Sequence, residues 1–458
     1  MNRNKSIAIF LITLLLFCSM DVRAEEAYRF RVYFKDKGVS RLSLEEPLAF
    51  LSEKTILRRE KNNIPITESD MPISSAYLDS LRTIGVTPIV QSRWFSTVVV
   101  ESTDSFVVQK LEQLPMVDSV KWIWKGHIIG YTYPSVEEDA EILTPKSTPI
   151  DERYGYANKQ IEMLNGIKLH EAGYQGEGMV IAVIDAGFKN ADRMSVFSSL
   201  NLLGTRNFVV PEESVFADDD HGTKVLSCMA ANAPGLIVGT APQAGYWLIV
   251  SEDNRSEYPV EEDYWTAAVE FADSLGVDVI SSSLGYFTYD AAILGYNQEA
   301  LDGNTALITR AARIAAEKGL LLFNSAGNEG NGHWGKITFP SDAPGILTVG
   351  AVTEEKEKSV FSSVGFTSDY RVKPDLVALG TGTCVAGSSG NISYASGTSF
   401  STPILAGLGT CLWQALPWLS NKEIIELLKR TSSQYERPDA ELGYGIPDIY
   451  EAYKKERN

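Results

Sequence analysis

Three side chains suited to nucleophilic catalysis stand far apart in the chain: Asp185, His221 and Ser399. A serine hydroxyl is a weak nucleophile, and it attacks efficiently only when an imidazole takes its proton. A carboxylate beside the imidazole fixes the tautomer of the ring and stabilises the imidazolium that forms. The order Asp, His, Ser is one of the orders in which this constellation recurs on unrelated folds. If the fold brings the three together, they predict acyl-transfer chemistry.

Each of the three residues also has a simpler interpretation. Asp185 ends an apolar run and would cap the turn that follows. His221 opens a helical segment, where a histidine is usually structural. Ser399 precedes another helical segment, a common place for an N-cap serine, with Pro403 expected in the first turn. The remaining histidines are predicted to be solvated or capping residues: His127, His170 and His333.

The elements that must position these residues lie after residue 157, where short apolar runs alternate with helical segments. This alternation predicts an α/β fold around a mostly parallel sheet flanked by helices. Continuous apolar runs, typical of strands covered on both faces, occur at 179–185, 246–251, 277–283, 319–325 and 345–352. Helices are predicted near 221–232, 261–275, 304–318, 400–415 and 421–431. Sites in such sheets form beyond the carboxyl ends of the strands, where Asp185 is expected.

The first residues of the chain have the composition of an export signal. Arg3 and Lys5 precede an apolar run at 7–17, and Ala24 offers the small residue that a signal peptidase reads. The apolar run is too short to span a membrane. We therefore interpret residues 1–24 as a signal peptide and expect the protein in the periplasm or outside the cell.

Two further segments precede the α/β region. Residues 25–125 show the order strand, helix, strand, strand, helix, strand, which predicts a small ferredoxin-like α+β domain. Residues 126–156 include an acidic, proline-containing, aperiodic stretch that is typical of an exposed linker. The remaining domain is then 157–458.

Charge and cysteine content exclude some classes of partner and site. The chain has a net charge of −18, and nearly all of it lies after residue 150, which argues against nucleic acid and anionic membranes as partners. Cys228, Cys384 and Cys411 show no metal-ligand spacing. They are most simply buried thiols, with a single disulfide among them as the alternative.

Five short segments resemble the subtilisin-like serine peptidase family, the subtilases: AVIDAGF, DHGTKV, SGTSFSTP, NSAGNEG and SSSLGY. The first three are similar to the family's signature blocks and stand in the family's order. The resemblance extends over about 160–450. Ala186 and Leu379 depart from the usual pattern, but neither bears a reacting atom.

The resemblance implies a subtilisin-like fold and a serine endopeptidase that acts through an acyl-enzyme, with Asp185, His221 and Ser399 as its triad. It assigns the side chain of Asn328 to the oxyanion hole. It also implies a set of substrate-binding residues: Ser283, Leu284, Gly285 and Thr338. Thr338 falls at the floor of the pocket for the residue before the scissile bond, and its β-branched side chain predicts a shallow pocket.

The same resemblance implies partners and processing. The substrates would be proteins or peptides, and residues 25–125 would be a propeptide that assists folding, inhibits the enzyme and is removed by self-cleavage within 126–156. No cofactor is required by this chemistry. The run Asp218-Asp219-Asp220 is either a structural calcium site or a solvated loop whose charge favours the His221 imidazolium.

Other classes of protein fit the sequence less well. An α/β-hydrolase esterase needs Gly-x-Ser-x-Gly, whereas residues 397–401 read Gly-Thr-Ser-Phe-Ser. The glycines at 173–178 precede a strand instead of following it, which argues against a dinucleotide fold. The alternative that we retain is a catalytically inert binding protein on a subtilase scaffold.

Overall fold

A computed structural model of the chain describes residues 26–127 and 151–457. We call these ranges the N-terminal unit and the C-terminal unit. The predicted signal peptide and most of the predicted linker therefore lie outside the described residues. Within the described ranges, no helix combines the length and the apolar character needed to cross a membrane.

The N-terminal unit is an antiparallel sheet with helices on it. Its elements are β1 (Glu26–Phe34), α1 (Glu53–Lys61), α2 (Ser75–Thr83), β2 (Thr87–Ser92), β3 (Thr97–Ser102), α3 (Val108–Glu112) and β4 (Val117–His127). The strand order is β2-β3-β1-β4, and every neighbouring pair is antiparallel. Leu81 of α2 and Leu111 of α3 pack with Val32 and Val98 in a fully buried core. The predicted ferredoxin-like arrangement is confirmed.

The C-terminal unit is larger and contains most of the helices. Its helices are α4 (Asn158–Glu162), α5 (Gly166–Glu171), α6 (His221–Ala230), α7 (Val260–Leu275), α8 (Leu307–Glu317), α9 (Thr398–Ala415), α10 (Asn421–Arg430) and α11 (Ile449–Lys455). Its strands are β5 (Val180–Asp185), β6 (Asn201–Asn207), β7 (Asn232–Ala233), β8 (Ile237–Val238), β9 (Gly245–Val250), β10 (Val279–Ser282), β11 (Leu321–Ser325), β12 (Leu347–Val352), β13 (Leu376–Leu379), β14 (Thr383–Ala386) and β15 (Ile392–Ala395).

Seven of these strands form one parallel sheet in the order β13-β12-β11-β10-β5-β9-β6. The five apolar runs of the sequence are its central strands, so the predicted α/β class is confirmed. The edge strand β6 was not predicted because its residues are mostly exposed, and an exposed edge carries no continuous apolar run. The carboxyl ends of all seven strands meet at one edge of the sheet.

Helices cover both faces of this sheet, which explains why its strands are apolar throughout. Along β5, Ile181 and Val183 face the layer that contains α6 and α9. The alternate residues Ala182 and Ile184 face the layer of α7 and α8. All four side chains are fully buried.

Helix α7 is buried on the side facing the N-terminal unit as well as on the side facing the sheet. Its carboxylates are buried, and three of them meet the N-terminal unit: Asp263, Glu270 and Asp273. Asp263 accepts two hydrogen bonds from Arg31 of β1, at 2.7 and 2.5 Å. Glu270 accepts from the backbone N–H groups of Arg93 and Trp94, at 2.8 and 3.1 Å. Buried carboxylates need such partners, so these contacts tie the two units together.

Pro403 lies in the second turn of α9, so its predicted first-turn position is wrong. A residue at this position would normally donate its N–H to the carbonyl of Ser399, four residues earlier. Proline has no N–H. The Ser399 carbonyl instead accepts a hydrogen bond from Ser283 Oγ at 2.8 Å. The proline therefore frees an acceptor that links α9 to the end of β10.

The three cysteines of the described chain are buried free thiols, and the alternative of a disulfide among them is wrong. Burial raises the pKa of each thiol above its usual value. These thiols are therefore protonated and serve as small apolar core residues.

His170 of α5 is buried, so the prediction that it is solvated or capping is wrong. The Tyr154 hydroxyl donates to its Nδ1 at 3.0 Å, and its Nε2–H donates to the Thr240 carbonyl at 3.0 Å. Burial lowers the pKa of His170 to about 4. The folded state therefore binds a proton at this site less readily than the unfolded chain does.

This depressed pKa predicts an acid-sensitive fold. The neutral His170 contributes stability above pH 6.5, the ordinary histidine pKa, and about 3 kcal/mol of it should be lost as the pH falls to about 4. We expect His170→Gln, which can keep both hydrogen bonds, to show a smaller fall in Tm between pH 7.5 and pH 5 than the parent chain. His333→Gln alters an exposed histidine and is the control. An equal fall in all three proteins would contradict the assignment.

Candidate active site

Asp185 is the last residue of β5, at the sheet edge where the strands end. Its carboxylate is fully buried, and Oδ1 accepts from the Ala186 N–H at 2.9 Å. The same oxygen accepts from His221 Nδ1 at 2.7 Å. Two elements that are 36 residues apart in sequence thus meet in one short charge-assisted hydrogen bond.

His221 is the first residue of α6, and its side chain keeps one third of its surface exposed. Its backbone N–H donates to Asp219 Oδ1 at 2.7 Å, which fixes the start of the helix. Gly222 allows a close approach of the backbone after β5, since a Cβ there would come within 3 Å of the Gly187 carbonyl oxygen. The ring is therefore fixed at Nδ1 by Asp185 and accessible elsewhere.

The environment of His221 favours the protonated ring. Burial alone lowers the pKa of the imidazole, but the charge of Asp185 and the hydrogen bond to it outweigh burial. Together with the charge of Asp219, they raise the pKa of His221 to about 9. The neutral form, which can accept a proton from a nucleophile, is therefore gained as the pH rises.

Ser399 is the second residue of α9, where backbone N–H groups have no partner inside the helix. Its neighbour Phe400 lies against the His221 ring, with 5.9 Å between ring centroids. The Ser399 hydroxyl donates to the Ser283 carbonyl at 3.4 Å, and no hydrogen bond joins it to His221. Such catalytic contacts are often long or unformed without substrate, and the role of Ser399 stays a prediction.

The side-chain amide of Asn328 has a defined orientation. Its Oδ1 accepts from both the N–H and the hydroxyl of Thr398, each at 2.9 Å. The amide N–H₂ is left on the side of Gly397, where a Cβ would be 3.6 Å from Nδ2. The Asn328 amide therefore lies next to the first turn of α9, and its role in an oxyanion hole stays a prediction.

The predicted substrate-binding residues form two adjoining segments. Ser283 and Leu284 follow β10, and Tyr286 exchanges backbone hydrogen bonds of 2.9 Å with Phe339. The Ser283 hydroxyl donates to the Ser399 carbonyl and so orients α9. The Ser283 and Leu284 carbonyls accept from the Ser399 hydroxyl and from Asn324 Nδ2.

Thr338 fills the space between the two segments. A Cβ on Gly285 or on Gly327 would come within 3 Å of the Thr338 side chain. Thr338 is 3 % exposed, and its hydroxyl is buried with no hydrogen-bond partner among the described residues. The prediction of a shallow pocket agrees with this packing and stays a prediction.

One acidic residue near the site was not predicted. Glu252 comes two residues after the end of β9, and its carboxylate accepts from the Tyr286 hydroxyl. Burial, followed by the charge of Asp185, raises the pKa of Glu252 to about 7, although the Tyr286 hydrogen bond opposes this. Its carboxylate lies close to those of Glu257 and Glu261. The sequence did contain a signal for Glu252, because it lies just beyond the carboxyl end of a strand, where sites of parallel sheets form. The same signal pointed to Asp185.

Two of the three residues suggested for calcium are engaged in other contacts. Asp219 accepts from the His221 N–H and from Asn254 Nδ2. Asp220 pairs with Lys224 at 2.7 Å and accepts from Ser388. A calcium site needs six or more oxygen ligands, and carboxylates already bound to protein donors fit that need poorly. The geometry favours the alternative, a loop that supports His221.

Comparison with known proteins gives these features a context. Residues 176–445 match the subtilase family, and residues 29–132 match the peptidase S8 propeptide domain of Bacteroidota. Subtilisin NAT of Bacillus subtilis subsp. natto is 29 % identical over 277 residues, 60 % of this chain. Subtilisin of Bacillus pumilus is 28 % identical over 277 residues, and M-protease of Shouchella clausii (strain KSM-K16) is 28 % identical over 307 residues.

The extent of these matches differs. The match covers 65 % of subtilisin NAT, 90 % of the B. pumilus subtilisin and 69 % of M-protease. For the first of these, therefore, less than two thirds of the relative's length is matched. The family match alone spans more than half of the chain, so the chain belongs to the subtilase family, and its N-terminal unit matches the propeptide domain of peptidase S8.

The raised pKa of His221 leads to a direct test. We expect the His221 imidazole, followed by ¹³C NMR, to titrate above pH 6.5. Asp219→Asn removes a negative charge that raises this pKa but leaves an oxygen for the His221 N–H, so the midpoint should move to lower pH. Asp218→Asn, at an exposed neighbouring residue, is the matched control. Equal midpoints in the two variants would exclude a role for Asp219 in setting the charge of His221.

Proposed function

We propose that this protein is an exported serine endopeptidase that hydrolyses proteins or peptides through an acyl-enzyme. In this proposal, Ser399 is the nucleophile, His221 the general base and Asp185 the residue that orients His221. The 2.7 Å hydrogen bond between Asp185 and His221, beside the N-terminus of α9, carries the proposal. No cofactor enters the chemistry, because these side chains supply the nucleophile and the proton transfers.

The reaction begins when Ser399 Oγ leaves its contact with the Ser283 carbonyl and attacks the scissile carbonyl. His221 Nε2 takes the hydroxyl proton and later delivers it to the leaving amine. Asp185 keeps the other ring nitrogen protonated and stabilises the imidazolium. Water then attacks the acyl-enzyme by the same proton transfers and releases the second product.

The developing oxyanion needs donors that are already in place. The proposed donors are the Asn328 side-chain N–H and the backbone N–H of Ser399. The dipole of α9, positive at its N-terminus, favours the negative charge there. Because Asn328 is oriented by Thr398, these donors need little rearrangement during the reaction.

Substrate selection is proposed to depend on Thr338. Its side chain packs closely against Gly285 and Gly327. The pocket for the substrate residue before the scissile bond is therefore shallow in this proposal. The extended segment at Ser283, Leu284 and Gly285 would lie along the substrate backbone. We therefore propose a preference for small side chains at that substrate position.

The protein is proposed to be made as a zymogen. Residues 1–24 would be the signal peptide, 25–125 the inhibitory propeptide, 126–156 the linker with the maturation site and 157–458 the catalytic domain. Because the linker is tethered to the active site, its effective concentration is about millimolar, and even a poor cleavage sequence would be cut. The N-terminal unit would also inhibit the enzyme after the cut.

A catalytically inert binding protein is the second candidate, and the unformed contact between Ser399 and His221 is the observation in its favour. A fluorophosphonate probe distinguishes the two, because it labels only an activated serine. Labelling that disappears in Ser399→Ala supports the enzyme. Absence of labelling in the processed protein supports the binding protein.

The oxyanion proposal predicts a specific kinetic change. Asn328→Ala should lower kcat by about 10²–10³-fold and leave KM nearly unchanged, because the lost hydrogen bond forms mainly in the transition state. Steady-state kinetics on a peptide substrate measure both constants. A change confined to KM would remove Asn328 from the oxyanion hole.

The zymogen proposal predicts self-processing. The parent chain, made without residues 1–24 in a host that lacks exported proteases, should appear on a gel as a small N-terminal and a larger acidic fragment. Ser399→Ala should remain one folded, full-length chain, because it has no nucleophile to cut the linker.

Two outcomes would overturn this proposal. If Ser399→Ala is cut at the same bond as the parent chain, another protease performs the maturation. If neither chain is cut and the full-length protein is active, the N-terminal unit is an accessory domain and not a propeptide that must be removed.

A further inference from the structure

Residues 47–70 form a helical excursion between β1 and α2 that lies outside the four-stranded sheet of the N-terminal unit. We propose that this segment, which we call the latch, keeps the N-terminal unit bound after the linker is cut, whether or not the substrate channel is occupied. Its partner surface is formed by the ends of α7 and α8 and the loop after α9. The regulatory meaning of the latch rests on the proposed zymogen function.

The latch and its partner surface share a chain of alternating charges. Arg58 and Arg59 of the latch donate to the two carboxylate oxygens of Asp273 on α7, at 2.5 and 2.7 Å. Arg59 also pairs with Asp70 of the latch at 3.4 Å, and Asp70 pairs in turn with Lys318 after α8. The charges therefore alternate in sign, and the pairs cross between the two units at Asp273 and at Lys318.

These ion pairs are buried, unlike the surface pairs of the protein. The side chains of Arg59, Asp70 and Asp273 are at most 1 % exposed, and that of Arg58 is 7 % exposed. Exposed ion pairs contribute little, but removing one partner of a buried pair leaves an uncompensated charge. Asp273 therefore depends on the two arginines while the units are in contact.

Hydrogen bonds to backbone groups extend the same contact. Thr55 Oγ1 donates to the Asp273 carbonyl at 2.6 Å, and the Ser52 N–H donates to the Ser274 carbonyl at 2.8 Å. Lys61 Nζ donates to the Leu419 carbonyl at 3.2 Å, beyond the end of α9. The Ser274 carbonyl lies in the last turn of α7, where intrahelical donors run out, so the latch satisfies a group that the helix leaves open. The Asp273 and Leu419 carbonyls accept in addition from Gly276 and Trp413 of the C-terminal unit.

The latch contact also includes an unfavourable contribution to its binding free energy. In the described structure, Nε and Nη1 of Arg59 are buried with no hydrogen-bond partner. Burying unpaired donors offsets part of the gain from the ion pairs. The latch is therefore suited to delay separation of the units instead of preventing it.

The latch lies far from the candidate active site. Ser399 is at the start of α9, and Leu419 follows the end of this 18-residue helix. At about 1.5 Å per residue, α9 is about 27 Å long. The latch therefore contacts the opposite end of the helix from the nucleophile, so its attachment is separate from any segment that enters the substrate channel. A latch and a segment in the substrate channel would together hold the N-terminal unit on the C-terminal unit more tightly than either contact alone.

The test uses the full Ser399→Ala chain with a recognition sequence for an unrelated, site-specific protease inserted directly after His127. The cut then depends on the added protease, and the N-terminal unit keeps none of residues 128–156. Size-exclusion chromatography and a fluorescence label on the N-terminal unit follow its release. The unchanged cut protein should remain one complex, and immediate separation would overturn the latch.

Arg58→Gln with Arg59→Gln should accelerate release at least about thirtyfold, as expected when a buried charge pair loses one partner. Arg82→Gln is the matched control, because Arg82 forms an exposed pair with Asp79 inside the N-terminal unit. Equal release rates for the double variant and the control would contradict the proposal.

A milder variant covers the case in which the double variant fails to fold before the cut. Thr55→Val with Lys61→Met removes latch hydrogen bonds and keeps the arginines; it should accelerate release by about tenfold. Thermal unfolding of each uncut chain verifies its fold, and unchanged release in this folded variant overturns the proposal. Because the assay needs no catalysis, failure of the proposed peptidase activity leaves its result unaffected.

Discussion

The hydrogen bond between the buried carboxylate of Asp185 and His221 is the interaction on which the site depends. A fully buried charge needs a partner, and Oδ1 of this carboxylate has two, the Ala186 N–H and the imidazole. The parallel sheet makes the contact possible, because β5 ends at the edge where α6 and α9 begin. Burial of both sheet faces thus fixes the positions of all three predicted catalytic side chains.

Carboxylates also organise the contact between the two units. Asp263, Glu270 and Asp273 of α7 are buried only because the N-terminal unit supplies arginines and backbone N–H groups. The N-terminal unit therefore does more than lie beside the C-terminal unit, because it completes the packing of α7. The same physical rule, that a buried charge requires a partner, governs both the site and the interface.

The sequence predicted those features that follow from periodicity or from local order. The central strands, Asp185 at a strand end and Ser399 at a helix start all follow from continuous apolar runs and their boundaries. The arginine pairs of the latch were not predicted, because Arg58 and Asp273 are 215 residues apart and nothing local relates them. His170 was misjudged because its partners, Tyr154 and Thr240, come from other segments. The role of Pro403 emerged only once the Ser283 hydroxyl was placed beside α9.

The acidic face of α7 has a consequence for encounters between molecules. In the complete protein, arginines neutralise this face, whereas a C-terminal unit without its N-terminal partner presents Asp263, Glu270 and Asp273 to water. Like charges on two copies repel each other over a Debye length of about 10 Å at 0.1 M salt. Separated C-terminal units would therefore collide through this face less often in dilute salt, which favours colloidal stability.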